Sequence, residues 1–167
     1  MRKDSGFTLI ELIVVVAIVA VLAGAAIPNF ISWLPGHRLR SGLDDLNTAF
    51  QLAKLQAIRE NGPVVVRFDT ANDSAIVFLD DGAGNPANAD NQLLNANERV
   101  FKRIEMPAGI DIQDFPGTST SFNGQPWFGY TGRGFLLLSN TGTVRLVNSR
   151  GAGGGIAINI NGNPSFV

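Results

Sequence analysis

The chain has 167 residues, 45% apolar and 16% charged, which is enough apolar material for a packed core in one domain of ordinary length. A formal net charge of −1 excludes bulk attraction to nucleic acid or anionic lipid, so any such binding needs a local patch. With no cysteine, disulfides, thiol catalysis and zinc–thiolate sites are excluded, and the single histidine, His37, gives no basis for a histidine metal cluster or a triad.

Residues 1–6 are short and polar, with positive charge at Arg2 and Lys3. Residues 7–27 then read FTLIELIVVVAIVAVLAGAAI, with Glu11 as their only charge. As a helix this run spans about 30 Å, the thickness of a bilayer's hydrocarbon core. The basic residues before it predict a cytoplasmic amino end and a remainder outside. A secretory signal has similar ingredients but does not normally carry a carboxylate in its apolar run. Such a charge costs about 2–3 kcal/mol at the bilayer midplane. Glu11 is therefore read either as snorkelling to the interface, for which its side chain is short, or as a functional group.

Gly6 followed by Phe-Thr-Leu-Ile-Glu and an uninterrupted apolar span resembles the processing site of the type IV pilin and type II secretion pseudopilin superfamily. The resemblance implies that a prepilin peptidase cuts between Gly6 and Phe7 and that Phe7 becomes N-methylated. It also implies that Glu11, the fifth mature residue, pairs with a neighbouring subunit's new amino terminus and sets the axial stagger. An opposite charge nearby offsets the desolvation of either group.

Pro28 ends the apolar run, where the superfamily also carries a proline and its helix bends or melts in filaments. Pro35-Gly36 departs from the commoner pattern and predicts a stronger break between Asn29 and His37. Trp33 reads as an interfacial anchor or a filament contact, and His37 as a residue of a solvated or filament-facing surface. Leu39, Leu43, Leu46, Phe50, Ala53 and Ala57 then form one apolar helical stripe. Asn61-Gly62-Pro63 is a stop signal.

Beyond Pro63 the period changes, and short runs at 64–68, 75–79, 99–104, 110–115, 134–138, 143–147 and 155–160 predict strands between Gly, Pro, Asn and Asp clusters. Asn140-Thr141-Gly142 reads as a hairpin connection. The expected class is α+β: a long amino-terminal helix, transmembrane in its first half and amphipathic in its second, packed on antiparallel sheet in the manner of a pilin. The expected organisation is a leader at 1–6, a transmembrane and filament-core helix at 7–28, its amphipathic second half at 29–62 and a β domain at 63–167. Residues 39–62 belong to the periplasmic head.

The helix LNTAFQLAKLQAIREN, the strand PVVVRFD directly after it, Ser139-Asn140-Thr141-Gly142-Thr143-Val144 and Asn148-Ser149-Arg150-Gly151 resemble the GspH/FimT family of minor pseudopilins and minor pilins. That resemblance implies other pilin or pseudopilin subunits, the prepilin peptidase and an inner-membrane assembly platform as partners. It implies a single-pass inner-membrane protein with a periplasmic head that then enters a pilus or pseudopilus, at its tip or in its shaft.

Asp80-Asp81-Gly82-Ala83-Gly84-Asn85, with Asn88, Asp90 and Asn91, is an oxygen-rich loop that a calcium ion could use. Asp80, Asp81, Asn85 and Asp90 are the candidate ligands, against the plainer reading of a polar turn. The loop lacks a closing glutamate at EF-hand spacing, and Glu98 lies too far along the chain to be assumed one. No other cofactor is expected. The glycines of 151–155 have no following helix or lysine, so they are read as a mobile hairpin tip rather than a phosphate loop. Trp127, Phe128 and Tyr130 near Arg133 fit core filling better than base stacking. Some FimT-type relatives bind DNA through a Gly-Arg-x-Arg element near the carboxy end. The end of this chain, NGNPSFV, lacks both arginines, which leaves Arg145 and Arg150 as the nucleic-acid candidates and argues against DNA as a partner. The alternative function is a DNA-uptake or adhesin subunit that binds ligand through its head. No constellation supports catalysis: a serine triad would have to use His37, and the paired acids are adjacent in sequence.

Overall fold

Six residues at the end of the apolar stripe and the first strand explain how the molecule is held together. Val64, Val66 and Phe68 alternate inward on one strand, and Leu46, Phe50 and Ala53 step along one helix face toward them. The computed structural model describes residues 7–83, 89–113, 121–122, 125–139 and 141–167, apart from the side chains of Pro28 and Ser121.

Helix α1 runs from Leu9 to Glu60. The chain divides into two compact units, Met1–Leu34 and Pro35–Val167. In the first unit the apolar side chains of the helix are exposed almost throughout. The break expected between Asn29 and His37 is not one of secondary structure, because α1 continues through both prolines. A proline removes one amide donor from the ladder, and nearby side chains add bonds of their own. Asn29 Nδ2 donates to the Ala25 carbonyl at 3.4 Å, and Ser32 Oγ donates to the Asn29 carbonyl at 2.8 Å.

In the second unit the stripe packs as expected: Leu46, Phe50, Ala53 and Ala57 are fully buried, and Leu39 and Leu43 are partly buried against the core. The helix stops after Glu60. Asn61 takes a positive φ of 51°, and the Gly62 N–H donates back to the Ala57 carbonyl at 3.2 Å.

Two antiparallel sheets cover this helix, rather than one. The first has strand order β3-β2-β1-β6, built from β1 (Val64–Asp69), β2 (Ser74–Leu79), β3 (Val100–Glu105) and β6 (Trp127–Tyr130). The second has order β4-β7-β8-β9, from β4 (Ile110–Ile112), β7 (Gly142–Asn148), β8 (Gly153–Ile158) and β9 (Pro164–Phe166), with β5 (Ser121–Phe122) also pairing β7. The α+β expectation holds, with a long helix on antiparallel strands.

Phe50 stands at the centre of the core. Its ring meets Phe128 edge-on at 4.9 Å, and Phe128 meets Phe122 at 4.7 Å and Tyr130 at 5.7 Å. The Tyr130 hydroxyl donates to the Gly162 carbonyl at 2.7 Å, so the buried polar tip is satisfied. Val65, Phe78 and Trp127 form a smaller cluster on the outer face of the first sheet, flanked by Ile76 and Leu137.

Several expectations fail locally. Residues 134–138 are not a strand: Gly134 has φ +79°, and Leu137–Ser139 is a 3-10 turn with Leu138 at φ +52°. The hairpin expected at Asn140-Thr141-Gly142 loses its first strand with it, and Asn140 lies outside the described residues. The strand at 110–115 is described only as Ile110–Ile112, with 114–115 outside the description. The glycines of 153–155 are not a hairpin tip but strand residues paired with Arg145, Leu146 and Val147; the turn precedes them, with Gly151 at φ +79°. A Cβ at Gly154 would sit 2.9 Å from Leu43 Cδ1, so the bare backbone makes room for the helix.

Candidate functional site

The amino-terminal site begins with Phe7 and Thr8, which precede the first helical residue. Thr8 occupies the N-cap and Glu11 the third helical position. The Thr8 N–H and hydroxyl both donate to Glu11 Oε2 at 3.2 Å, and the Glu11 N–H donates to Thr8 Oγ1 at 3.3 Å. This is a reciprocal capping box, with the carboxylate at the positive end of the helix dipole. The Thr-x-x-Glu spacing of residues 8–11 is the sequence signal for this cap. Gly6 lies outside the described residues, as does the side chain of Pro28, whose backbone is helical.

Behind this cap, Leu9–Ile27 is long and apolar enough to cross a membrane, with a mean hydropathy of 2.9 and none of the span buried within the chain. Phe30 and Trp33 follow with ring centroids 6.1 Å apart, and Trp33 is exposed, as an anchor or a filament contact requires. His37 is exposed as well.

The oxygen-rich loop separates into different environments. Asp81 is exposed and its Oδ1 accepts the Ala83 N–H in a local turn. Asp90 is exposed too, and its N–H donates to the Asp80 carbonyl at 3.3 Å. Asn85 and Asn88 lie outside the described residues. Asp80 is fully buried at the end of β2. Its Oδ2 accepts the Gln92 N–H at 2.7 Å, while Oδ1 is buried without a hydrogen-bond partner. Burial pushes this carboxyl up to about 6; the charges of Glu98 and Asp90 add to the rise, and the N–H groups of Gln92 and Asn91 oppose it.

Glu98, set aside on sequence separation, is brought to the same place. It is only 6% exposed, and its two carboxylate oxygens accept the N–H groups of Gly82 at 3.2 Å and Asn95 at 2.8 Å. Among the described residues no three acidic or imidazole side chains converge as a metal cluster.

Arg145 and Arg150 are exposed, on β7 and in the turn after it. The place of a Cβ on Gly153 lies 3.0 Å from Arg145 Nε, so that guanidinium lies along the neighbouring strand. Trp127, Phe128 and Tyr130 are buried, as expected of core residues, and Arg133 is exposed.

Residues 1–27 match the prokaryotic N-terminal methylation motif, and residues 43–164 match the model of the type II transport protein GspH. The chain is similar to the type IV wide pilus major component PilA4 of Thermus thermophilus, with 30% identity over 109 residues, 65% of this chain and 78% of that protein. Its fold is similar to two solved structures. One is the type IV minor pilin FimU of Pseudomonas aeruginosa, with a TM-score of 0.55, 12% identity, and 78% of this chain and 89% of that one covered. The other is the minor pseudopilin EpsH from the type 2 secretion system of Vibrio cholerae, with a TM-score of 0.54, 9% identity, and 78% and 96% covered.

Proposed function

The chain belongs to the family of the type II transport protein GspH, and from that premise we propose that it works by packing into a filament rather than by catalysis. It is a minor pseudopilin or minor pilin subunit of a type II secretion system or a type IV pilus, and its methylation motif makes it a substrate of prepilin peptidase. It assembles with other subunits of the same kind.

In this reading the peptidase cuts between Gly6 and Phe7, and the new amino terminus is methylated. The helix of Leu9–Ile27 holds the subunit in the inner membrane with its head in the periplasm. An assembly platform there extracts it into the filament, at the tip or in the shaft. Extraction transfers the exposed apolar span from lipid to neighbouring helices, so little hydrophobic free energy is gained. Specificity must then come from polar groups and close packing. Glu11 is the one charge in the span and supplies it.

The observation that carries the reading is the methylation motif joined to that apolar helix. Mass spectrometry of the mature subunit tests it. The expected amino terminus is N-methylated Phe7; an intact Met1 end, or a cut at another position, would count against it.

A further inference from the structure

Two arginines share one row on the outer face of the first sheet. On β1, Val66 and Phe68 are buried in the core, so Arg67 between them points outward; on β3, Ile104 is buried and Arg103 before it is exposed. The register aligns them, because Arg67 pairs with Ile76 of β2 and Ile76 pairs with Arg103. Their Cα atoms are therefore about 10 Å apart, two strand spacings, and two side chains of this length converge across that gap. Both line a single cavity of about 550 Å³, whose apolar surface comes from Ile76, Leu94 and Pro126.

Among the described residues this positive charge has no counter-ion. The single ion pair found there joins Arg99 to Glu60. Arg67 Nη1 donates to a neutral acceptor, the Gln92 carbonyl, at 3.1 Å, and the Arg103 side chain makes no hydrogen bond there. Asp69 is the acid on the cavity wall, and its own turn occupies it. Its Oδ1 accepts the N–H groups of Ala71 and Asn72, and its Oδ2 accepts Asn72 Nδ2 at 2.7 Å. Like charges on neighbouring strands repel, and an anion held between them turns that repulsion into attraction.

We propose that Arg67 and Arg103 form a docking pocket for an acidic side chain of a partner polypeptide, its carboxylate held between the two guanidinium groups. A guanidinium presents a planar fork of N–H donors that matches a carboxylate. The apolar floor takes the carbon chain that carries the acid and the residues beside it, which inorganic phosphate lacks. The surroundings select against a polyanion. Glu105 and Asp111 line an adjoining cavity that shares Ser74 and Arg103 with this one. A nucleic-acid strand running along the face would meet their charge, whereas a single carboxylate would not. The pocket is defined by the head alone, so the proposal stands whether or not the subunit enters a filament.

The test uses the full chain in detergent micelles at fixed ionic strength. Calorimetry measures binding of the peptide acetyl-Val-Ala-Glu-Ala-Val-amide, of its counterpart with glutamine at the centre, of inorganic phosphate and of oligothymidylate. Saturable binding of the acidic peptide is expected, about tenfold tighter than that of the glutamine peptide. Arg67→Gln and Arg103→Gln should each weaken it about tenfold, and Arg133→Gln, an exposed arginine outside the cavity, should leave it unchanged. If Arg67→Gln disturbs the fold through its lost bond to Gln92, Arg103→Gln decides. The proposal is overturned if the acidic peptide does not bind, if the two peptides bind equally, or if a folded Arg103→Gln protein keeps wild-type affinity. Tighter binding of phosphate or oligothymidylate than of the acidic peptide, lost in Arg103→Gln, would overturn the assignment to a carboxylate.

Discussion

Thr8 and Glu11 cap one another: the threonine N–H and hydroxyl donate to the Glu11 carboxylate at 3.2 Å, and the Glu11 N–H returns a bond to the threonine oxygen at 3.3 Å. Within a single subunit the acid in the apolar helix therefore already has partners. Neutral donors satisfy its hydrogen bonds but leave its charge uncompensated, which is what a neighbour's ammonium would correct. Capping and charge are separable by substitution, and that separation tests the account.

Thr8→Ala removes the cap and keeps the charge. The first helical turn should lose about 1 kcal/mol. Faster amide exchange at Leu9–Glu11 in micelles would report it, while filament incorporation should persist at a reduced level. Complete loss of incorporation would assign register to the cap instead.

Phe50→Ala should destabilise the head by about 3–5 kcal/mol, because Phe50 is fully buried and its ring contacts Phe68 and Phe128. Urea unfolding followed by near-ultraviolet circular dichroism measures this. A loss under about 1 kcal/mol would mean that the aromatic cluster is not the keystone of the core.

Tyr130→Phe keeps the ring and removes the hydroxyl that donates to the Gly162 carbonyl. A cost of about 1–3 kcal/mol is expected from the buried carbonyl left unpaired. Gly162→Ala should cost at least as much, since its φ is +70° and a Cβ would meet Tyr130 Cε1 at 2.7 Å. Equal stability of all three proteins would exclude this contact as a support of the carboxy-terminal strand.

Gly132→Ala should be among the most damaging single-methyl additions. A Cβ there would lie 2.6–2.9 Å from backbone atoms of Asn61 and Gly62, which cannot rotate away as a side chain can. The loss of head stability should exceed that of Gly154→Ala, whose added Cβ would meet only the end of Leu43. The reverse order would contradict the packing of residue 132 against the helix stop.

The helix stripe was legible because Leu46, Phe50, Ala53 and Ala57 repeat at helical spacing, and the first strand because Val64, Val65, Val66 and Phe68 are β-branched or aromatic, with Arg67 the one charge among them. The strand Trp127–Tyr130 was missed for a physical reason. All four of its residues are buried, two against the helix and two on the outer face, so the period-2 signal of a half-exposed strand is absent. Residues 134–138 gave the opposite error: GFLLL has strand composition, but Gly134 and Leu138 adopt positive φ. The role of the 153–155 glycines depended on Leu43, more than 100 residues earlier, and no local pattern encodes that. At the sites, Glu11 stood out as a lone charge. Glu98 did not, because its approach to Asp80 is set by a loop path rather than by spacing.

Glu11→Gln separates the two roles most directly. Glutamine can still fill the third position of a capping box, so the helix start is kept while the charge is lost. The quantity to measure is the fraction of mature subunit in sheared filaments relative to membranes, in cells that express Glu11→Gln alone. The account predicts a processed, membrane-held subunit that is depleted at least tenfold from filaments. Wild-type incorporation of this variant would contradict it and leave Glu11 as no more than a helix cap.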